Sequence, residues 1–453
     1  MPATGAPSRS LATSPSFWIA ALSVALHAAV IGRYGIFRDE LYYIACGRHL
    51  AWGYVDHPPG VALFARLAET LFGTSPQGLR ILPILAGALV VFLAGRLARE
   101  LGGGRFAEAL ASLAVLVAPV LLYVFHYLSM NVLDALFWTL ALLLLLKILN
   151  GGDPRLWLAF GLVTGLGLEN KLSVLFLGAG VVVGLLLTPE RRLFASRWPW
   201  LGGALALALL APHIAWQIAN GWPTREFVAN ATAHKNIHYS PLAFLGEQIK
   251  QMHPMTLPLW LGGLAWFAFS KEGRRYRALA IAYVAIFALL VAQGGKPYYL
   301  APIYPLLFAA GARAFEGLLA ARNLSWPKPA ALALLAAGGA ATAPLTLPLL
   351  PIETFIRYEA ALGLHGSSGE RHAMGRLPQH YADMFGWEDL TATVAHVWRT
   401  IPEAERPRCA IFGQDYGQAG AIDVLGDRYG LPDALSGHNS YFLWGPRGYD
   451  GRC

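Results

Sequence analysis

The sequence predicts an all-α polytopic membrane protein that carries a small C-terminal α/β domain outside the bilayer. Three observations lead there. Of the 453 residues, 56% are hydrophobic and only 14% are charged, against roughly 25% charged in soluble domains; the mean hydropathy is +0.46. The apolar residues stand in long blocks rather than amphipathic stripes, and a spanning helix needs about 20 of them. A soluble fold would have to bury all of these blocks in one core. Beyond about Glu353 the composition changes, with Asp, Glu, His and Gly throughout.

About eleven blocks qualify as spans: 16–34, 80–98, 106–125, 131–148, 156–169, 172–188, 198–216, 255–269, 278–293, 299–319 and 328–350. The first follows Arg9 and reads as a retained anchor, because Leu26-His27-Ala28 makes a poor signal-cleavage site. The apolar run from Leu156 to Thr188 is divided at Glu169-Asn170-Lys171, since one tilted helix seldom buries three such polar residues. With a cytoplasmic N-terminus, the inner loops hold Arg99 and Arg105, then Arg155, then Arg191, Arg192 and Arg197. They continue with Lys271, Arg274, Arg275 and Arg277, and finish with Arg322 and Lys328. Every inner loop is basic, as the orientation bias of membrane proteins requires. An odd number of spans puts the C-terminus outside. The net charge of +8 is thus scattered through loops rather than gathered in a patch, and no nucleic-acid partner is expected. Cys46, Cys409 and Cys453 have neither metal-ligand spacing nor that of a disulfide framework.

Residues 1–350 form the membrane core in this reading, with long outer loops at 35–79 and 217–254. The first loop contains an amphipathic stretch, Val61 to Phe72, that fits a helix lying in the interface plane. The second is rich in His, Asn and Lys. Residues 351–453 form the outer α/β domain, with Arg408–Phe412 as a short strand and Trp387–Thr400 as a helix. Gly413 to Gly420 lacks the spacing of a dinucleotide fingerprint and reads as an ordinary strand-to-helix turn.

The unusual polar residues then fall on one side. Arg38-Asp39-Glu40 follows the first span, and Asp56-His57-Pro58-Pro59 lies in the same loop. His126 and Tyr127 end the third span, with Asp134 near the start of the fourth. Glu169-Asn170-Lys171 and Lys296-Pro297-Tyr298-Tyr299 sit at outer turns. Ionisable groups at membrane depth are costly and are functional candidates by default. A lipid-phosphate sugar donor accounts for them: Lys or Arg holds its phosphate at the outer interface, and a carboxylate takes the proton of the attacking acceptor hydroxyl. The phosphate leaves as a stable anion, so one carboxylate and a basic clamp suffice. Glycosidases instead pair two acids. Each group also has a plainer reading. Asp-Glu at a loop-to-helix junction is a frequent N-cap, Asp56 before two prolines shapes a turn, lysines snorkel from helix ends, and His126 is within reach of Asp134 across the outer turn.

Asp39-Glu40 after the first span resembles the acidic pair in the first outer loop of GT-C fold glycosyltransferases. The resemblance is to the superfamily of dolichyl-phosphate-mannose–protein mannosyltransferases and bacterial aminoarabinose (lipid A) transferases. Asp56-His57-Pro58-Pro59-Gly60 is similar to the acidic–x–Pro–Pro segment of the bacterial members. Lys296 to Pro305 is similar to the basic, Tyr- and Pro-containing start of a late span. The resemblance covers about the first 320 residues. It implies Asp39 as catalytic base and Glu40 as its partner in donor or acceptor binding. It implies Asp56 as a second functional carboxylate, with Lys171 and Lys296 on the donor phosphate; His57, His126 and Tyr298 are further substrate-binding candidates from their place on the same side. His57 stands where bacterial members often carry Lys, which makes its contribution pH-sensitive. A divalent cation at Asp39 and Glu40 is a further candidate; no histidine set has zinc-ligand spacing.

The expected activity is transfer of one sugar from a polyprenyl-phosphate donor to a lipid, glycan or protein acceptor outside the cytoplasm, by inverting displacement. The expected location is a bacterial inner membrane, with the site on the periplasmic face. The rivals are a transporter or flippase of lipid-linked sugars, a lipid-linked oligosaccharide ligase, and a non-catalytic scaffold. The absence of an internal repeat and the placement of charges at the outer edge count against a transporter.

Overall fold

The computed structural model describes residues 11–364 and 375–450. Its helices follow the apolar blocks. The first half of the chain holds α1 (Pro15–Ala28), α2 (Arg38–Arg48), α3 (Gly60–Phe72), α4 (Pro76–Glu100), α5 (Arg105–Val117), α6 (Pro119–Val124), α7 (Met130–Leu149), α8 (Leu156–Asn170) and α9 (Val174–Leu186). Then come α10 (Arg197–Ala219), α11 (Pro223–Asn230), α12 (Pro241–Gln251), α13 (Leu257–Phe269), α14 (Arg277–Ala292), α15 (Tyr304–Ala321) and α16 (Pro327–Thr342). A helix stands at each expected span. By length and composition, however, five helical segments can each cross a membrane alone: 76–100, 130–149, 197–219, 273–292 and 297–321. The count rises to six if α9 and the bent turn after it are taken as one. Prolines explain part of the shortening. The expected 106–125 span is broken at Ala118 before Pro119, and α16 stops ahead of Pro344, Pro348 and Pro351, where missing N–H groups end the helical ladder.

Several of the basic loops between the helices meet one another. Asn150 donates from Nδ2 to the Glu100 carbonyl (3.0 Å) and accepts from the Tyr276 hydroxyl (2.6 Å), while Arg275 reaches the Leu149 carbonyl (2.7 Å). Arg313 pairs with Glu272 at 2.6 Å, and Glu316 accepts from the Gly104 N–H at 2.5 Å. Polar loop groups thus pair with each other where lipid could not satisfy them.

Helices α13 and α15 approach through small residues. A Cβ on Gly311 would lie 1.9 Å from the Leu259 carbonyl oxygen, and one on Gly263 2.2 Å from that of Leu307. Close backbone approach of this kind is how apolar helices gain packing where burial from water offers little. Gly311→Val should therefore lower stability by roughly 1–3 kcal/mol, the range for overpacked cores. The midpoint of an SDS unfolding titration followed by circular dichroism measures it; an unchanged midpoint would mean that the two helices separate freely.

The segment after α1 and the C-terminal tail fold onto each other. In α3, Leu63, Leu67 and Leu71 are exposed while Val61, Ala62, Ala65 and Ala68 are buried, the two-faced pattern expected of an interfacial helix. The tail contributes α17 (Ile352–Ala361), α18 (Gln379–Ala382), α19 (Trp387–Thr400), α20 (Tyr416–Leu425) and α21 (Ser440–Trp444). The expected helix over 387–400 forms. The expected strand at 408–412 does not extend beyond one isolated parallel bridge, Phe412 with Leu435, and among the described residues the tail is otherwise helices and turns. Pro407 and Pro432 upstream of the bridge withhold ladder donors. Tail residues Tyr416, Ala419, Ile422, Leu425 and Tyr441 share one apolar cluster with Leu41, Tyr42, Ile44 and Cys46 of α2. Cys409 is disulfide-bonded, whereas Cys46 is free and buried. The cysteine spacing alone did not suggest that bond.

Candidate active site

The site is organised by the first turn of α2. Its N-terminal residues are Arg38, Asp39 and Glu40, which places two acids where unsatisfied N–H groups and the helix dipole favour negative charge. Glu40 is fully buried. Its Oε2 accepts the Phe37 N–H (2.8 Å) and Arg80 Nη2 (3.0 Å), and its Oε1 accepts Arg80 Nε (3.2 Å) and the Leu128 N–H (2.9 Å). Arg80, also fully buried, donates further to the carbonyls of Ile31 (3.1 Å) and Gly35 (2.7 Å). One carboxylate thereby ties α2 to α4 and to the turn before α7. The resemblance implied Glu40 in donor or acceptor binding; in the fold both of its oxygens accept hydrogen bonds from Arg80 and from backbone N–H groups.

Asp39, one residue earlier, points elsewhere, and its side chain keeps 32% exposure. Its Oδ1 accepts the Tyr416 hydroxyl at 2.8 Å and lies 3.7 Å from Arg38 Nε. Arg38 also reaches Asp383 at 3.3 Å, and its guanidinium sits 5.3 Å over the Tyr416 ring. Asp56 repeats the arrangement. Its Oδ1 accepts the Tyr42 hydroxyl at 2.6 Å, and the Tyr42 and Tyr416 rings are 5.0 Å apart. Burial raises both phenols well above the ordinary range near 10, with Asp56 adding to the effect on Tyr42 and Asp39 to that on Tyr416, so each hydroxyl keeps its proton as a donor.

In front of Asp39 lies a cavity of about 520 Å³. Arg38, Asp39, Asn131, Lys250, Lys296 and Tyr298 line it, with Tyr239, Glu247 and the tail residues Gln379, His380 and Asp383. Lys250 pairs with Glu247 at 2.8 Å. His380 has its pKa lowered to about 4 by burial, and its Nε2 lies 3.1 Å from the Leu345 carbonyl, so it is a neutral wall group. Phe37, Tyr123 and Tyr127 add aromatic faces, with ring centroids 4.6 Å apart for Phe37–Tyr127 and 4.5 Å for Tyr123–Tyr127. Three carboxylates (Asp39, Glu247 and Asp383), three cationic side chains (Arg38, Lys250 and Lys296) and aromatic walls in one hollow can bind an anionic group and a polar ring together.

The other expected residues lie off this cavity. Lys171 is turned inward: its Nζ is 2.9 Å from Asn131 Oδ1 and 3.3 Å from Asp134, and lies over the Tyr298 and Tyr299 rings at 5.4 and 4.5 Å. Its effect on the cavity passes through Asn131 and Tyr298. His57 is buried, with Nδ1 2.7 Å from the Pro58 carbonyl and its ring stacked on Tyr54. His126 pairs with His27 (Nδ1–Nδ1 3.3 Å) and not with Asp134, whose Oδ1 accepts the Ser173 hydroxyl at 2.6 Å. Asp39 and Glu40 do not converge as cation ligands, because the Glu40 oxygens are taken by N–H donors. Among the described residues no group of three His, Cys, Asp or Glu side chains is placed to hold a metal ion. Sequence reasoning missed Lys250, Tyr416 and Ser440. Tyr416 lies in the Gly413–Gly420 turn, whose Asp415 caps α20 through the Gly417 and Gln418 N–H groups (2.7 and 3.0 Å); nothing local shows that this turn docks on Asp39.

Residues 56–216 match the family model described as dolichyl-phosphate-mannose-protein mannosyltransferase. Among proteins of curated function, none matches the sequence. Among solved structures, ArnT from Cupriavidus metallidurans bound to undecaprenyl phosphate superposes with a TM-score of 0.62 at 18% identity, covering 92% of this chain and 85% of that one. The archaeal oligosaccharyltransferase AglB from Archaeoglobus fulgidus, in complex with an inhibitory peptide and a dolichol-phosphate, gives 0.56 at 13% identity, covering 92% of this chain and 64% of that one. The chain therefore has the GT-C glycosyltransferase fold.

Proposed function

We propose that the chain is a membrane glycosyltransferase that moves a sugar from a polyprenyl-phosphate donor to an acceptor outside the cytoplasm, with eleven crossings and the site on the outer face. The observation that carries this reading is the single cavity joining Asp39 to Lys250, Lys296 and Tyr298. The acceptor hydroxyl attacks the anomeric carbon, its proton passes to the Asp39 carboxylate, and the carbon–oxygen bond to the phosphate breaks on the opposite face. The polyprenyl phosphate departs as an anion stabilised by Lys250 and Lys296. Asp56 orders the loop beside Asp39, Glu40 fixes the helix that carries it, and Lys171 holds Asn131 and Tyr298 in the wall. The disulfide at Cys409 suits an oxidising compartment such as the periplasm, which supports the outward orientation of the tail.

The test is reconstitution with radiolabelled polyprenyl-phosphate sugars and a cell-envelope extract. Label should leave the lipid and enter a product whose identity names the acceptor. Movement of the donor between leaflets without transfer would replace this reading with a flippase, and transfer only from lipid-linked oligosaccharides would replace it with a ligase. Lys250→Ala and Lys296→Ala should each raise the donor KM roughly 10- to 150-fold, the equivalent of one charge-assisted hydrogen bond. An unchanged KM in both variants would place the phosphate elsewhere.

A further inference from the structure

We propose that Tyr416, delivered by the C-terminal tail, is a positioning residue for Asp39, and that the tail is a working part of the site rather than an appended domain. The inference rests on the transfer reaction proposed above and adds to it the residue that orients its base.

The tail grips the acidic loop at three points. Tyr416 donates its hydroxyl to Asp39 Oδ1 at 2.8 Å. Asp383 accepts the Arg38 N–H on its carbonyl at 2.9 Å and pairs its carboxylate with the Arg38 guanidinium at 3.3 Å. Ser440 has its hydroxyl 2.8 Å from that of Tyr42, gives its N–H to the Tyr42 oxygen at 3.3 Å, and accepts the Val55 N–H at 3.2 Å. Through Tyr42 it holds Asp56. Both outer-loop carboxylates thus receive a phenolic proton, and both phenols are set by the tail: one comes from it and the other is fastened to it. The rings pack at 5.0 Å, with His438 against Tyr416 at 5.1 Å. Gly417 and Gly420 let α20 approach this closely, since a Cβ on Gly417 would meet Arg38 Cγ at 2.5 Å.

A base one ångström out of line loses much of its rate. The Tyr416 hydroxyl fixes one Asp39 oxygen and leaves the other for the incoming hydroxyl. The ionisable groups around Asp39 besides Tyr416 are Arg38 on its own helix, Tyr43 one turn on, Tyr123 and Tyr127 from the segment before α7, and, lining the same cavity, Lys250, Lys296, Tyr298 and Asp383.

The experiment compares wild type, Tyr416→Phe and Tyr42→Phe as full-length purified protein. In Tyr416→Phe the kcat should fall roughly 10- to 100-fold with the donor KM within about twofold, the signature of an interaction that matters in the transition state. The hydrogen bond itself is read without turnover by infrared difference spectroscopy, in which Asp39→Asn identifies the Asp39 carboxylate band and Tyr416→Phe should move its frequency. Tyr42→Phe should leave that band in place. Limited proteolysis checks that the tail stays docked; if Tyr416→Phe loosens it, Ser440→Ala serves as the comparison, and an equal loss of kcat there would overturn the inference by showing that docking alone sets the rate. An Asp39 band at the same frequency in wild type and Tyr416→Phe overturns it as well. A shifted band in a protein that transfers no sugar from any donor would leave the positioning role standing and remove the proposed reaction.

Discussion

Asp39→Asn should reduce sugar transfer roughly 10²- to 10⁴-fold, the span associated with a positioned general base, while leaving the unfolding midpoint nearly unchanged. The asymmetry follows from its surroundings. The Asp39 side chain is partly exposed in the cavity, and an amide can still accept the Tyr416 hydroxyl on its oxygen. What the amide cannot do is take a proton from the acceptor. Label transfer from the polyprenyl-phosphate donor, measured on protein whose melting curve matches wild type, is the check. Retention of more than about a tenth of wild-type kcat would pass the role of base to another group, with Asp56 first in line.

The second large effect is on stability and concerns the neighbouring acid. Glu40→Ala or Arg80→Ala should each cost about 3–5 kcal/mol, because either leaves the opposite charge buried without its partner. Both side chains have 0% exposure, and the pair is joined at 3.0 Å. Glu40→Leu combined with Arg80→Met should recover a large part of the loss, since an apolar pair of similar volume removes the stranded charge. SDS titration monitored by circular dichroism separates the single from the double variants. If Glu40→Gln instead keeps wild-type stability and loses transfer as fully as Asp39→Asn, then Glu40 acts on substrate and not on the fold.

These two neighbours also show how far the sequence could be read. Asp39-Glu40 stood out as a candidate pair from its position after the first span, yet nothing in the dipeptide separates a carboxylate facing a cavity from a buried helix anchor. That division depends on Arg80 and Leu128, 40 and 88 residues away. The positions of the apolar helices were legible because they rest on composition, which is local. Their ends were less so, since Pro119 and Pro344 break helices that hydropathy alone runs together. The lysines were legible as a class: Lys296 reached the cavity, whereas Lys171 was drawn inward by Asp134 and two tyrosine rings. Lys250 hid inside a loop read only for its His, Asn and Lys content. The tail was the least legible part. Its expected strand is a single bridge, and its contribution to the site comes from contacts spanning nearly the whole chain.

The contact between Asp39 and Tyr416 joins residues 377 positions apart. During synthesis at roughly 5–20 residues per second, Tyr416 leaves the ribosome about 20–75 s after Asp39. For that interval Asp39 is already made but lacks the hydroxyl that its Oδ1 accepts in the finished fold. The geometry of this carboxylate is therefore set late, by a segment synthesised long after the helix that carries it.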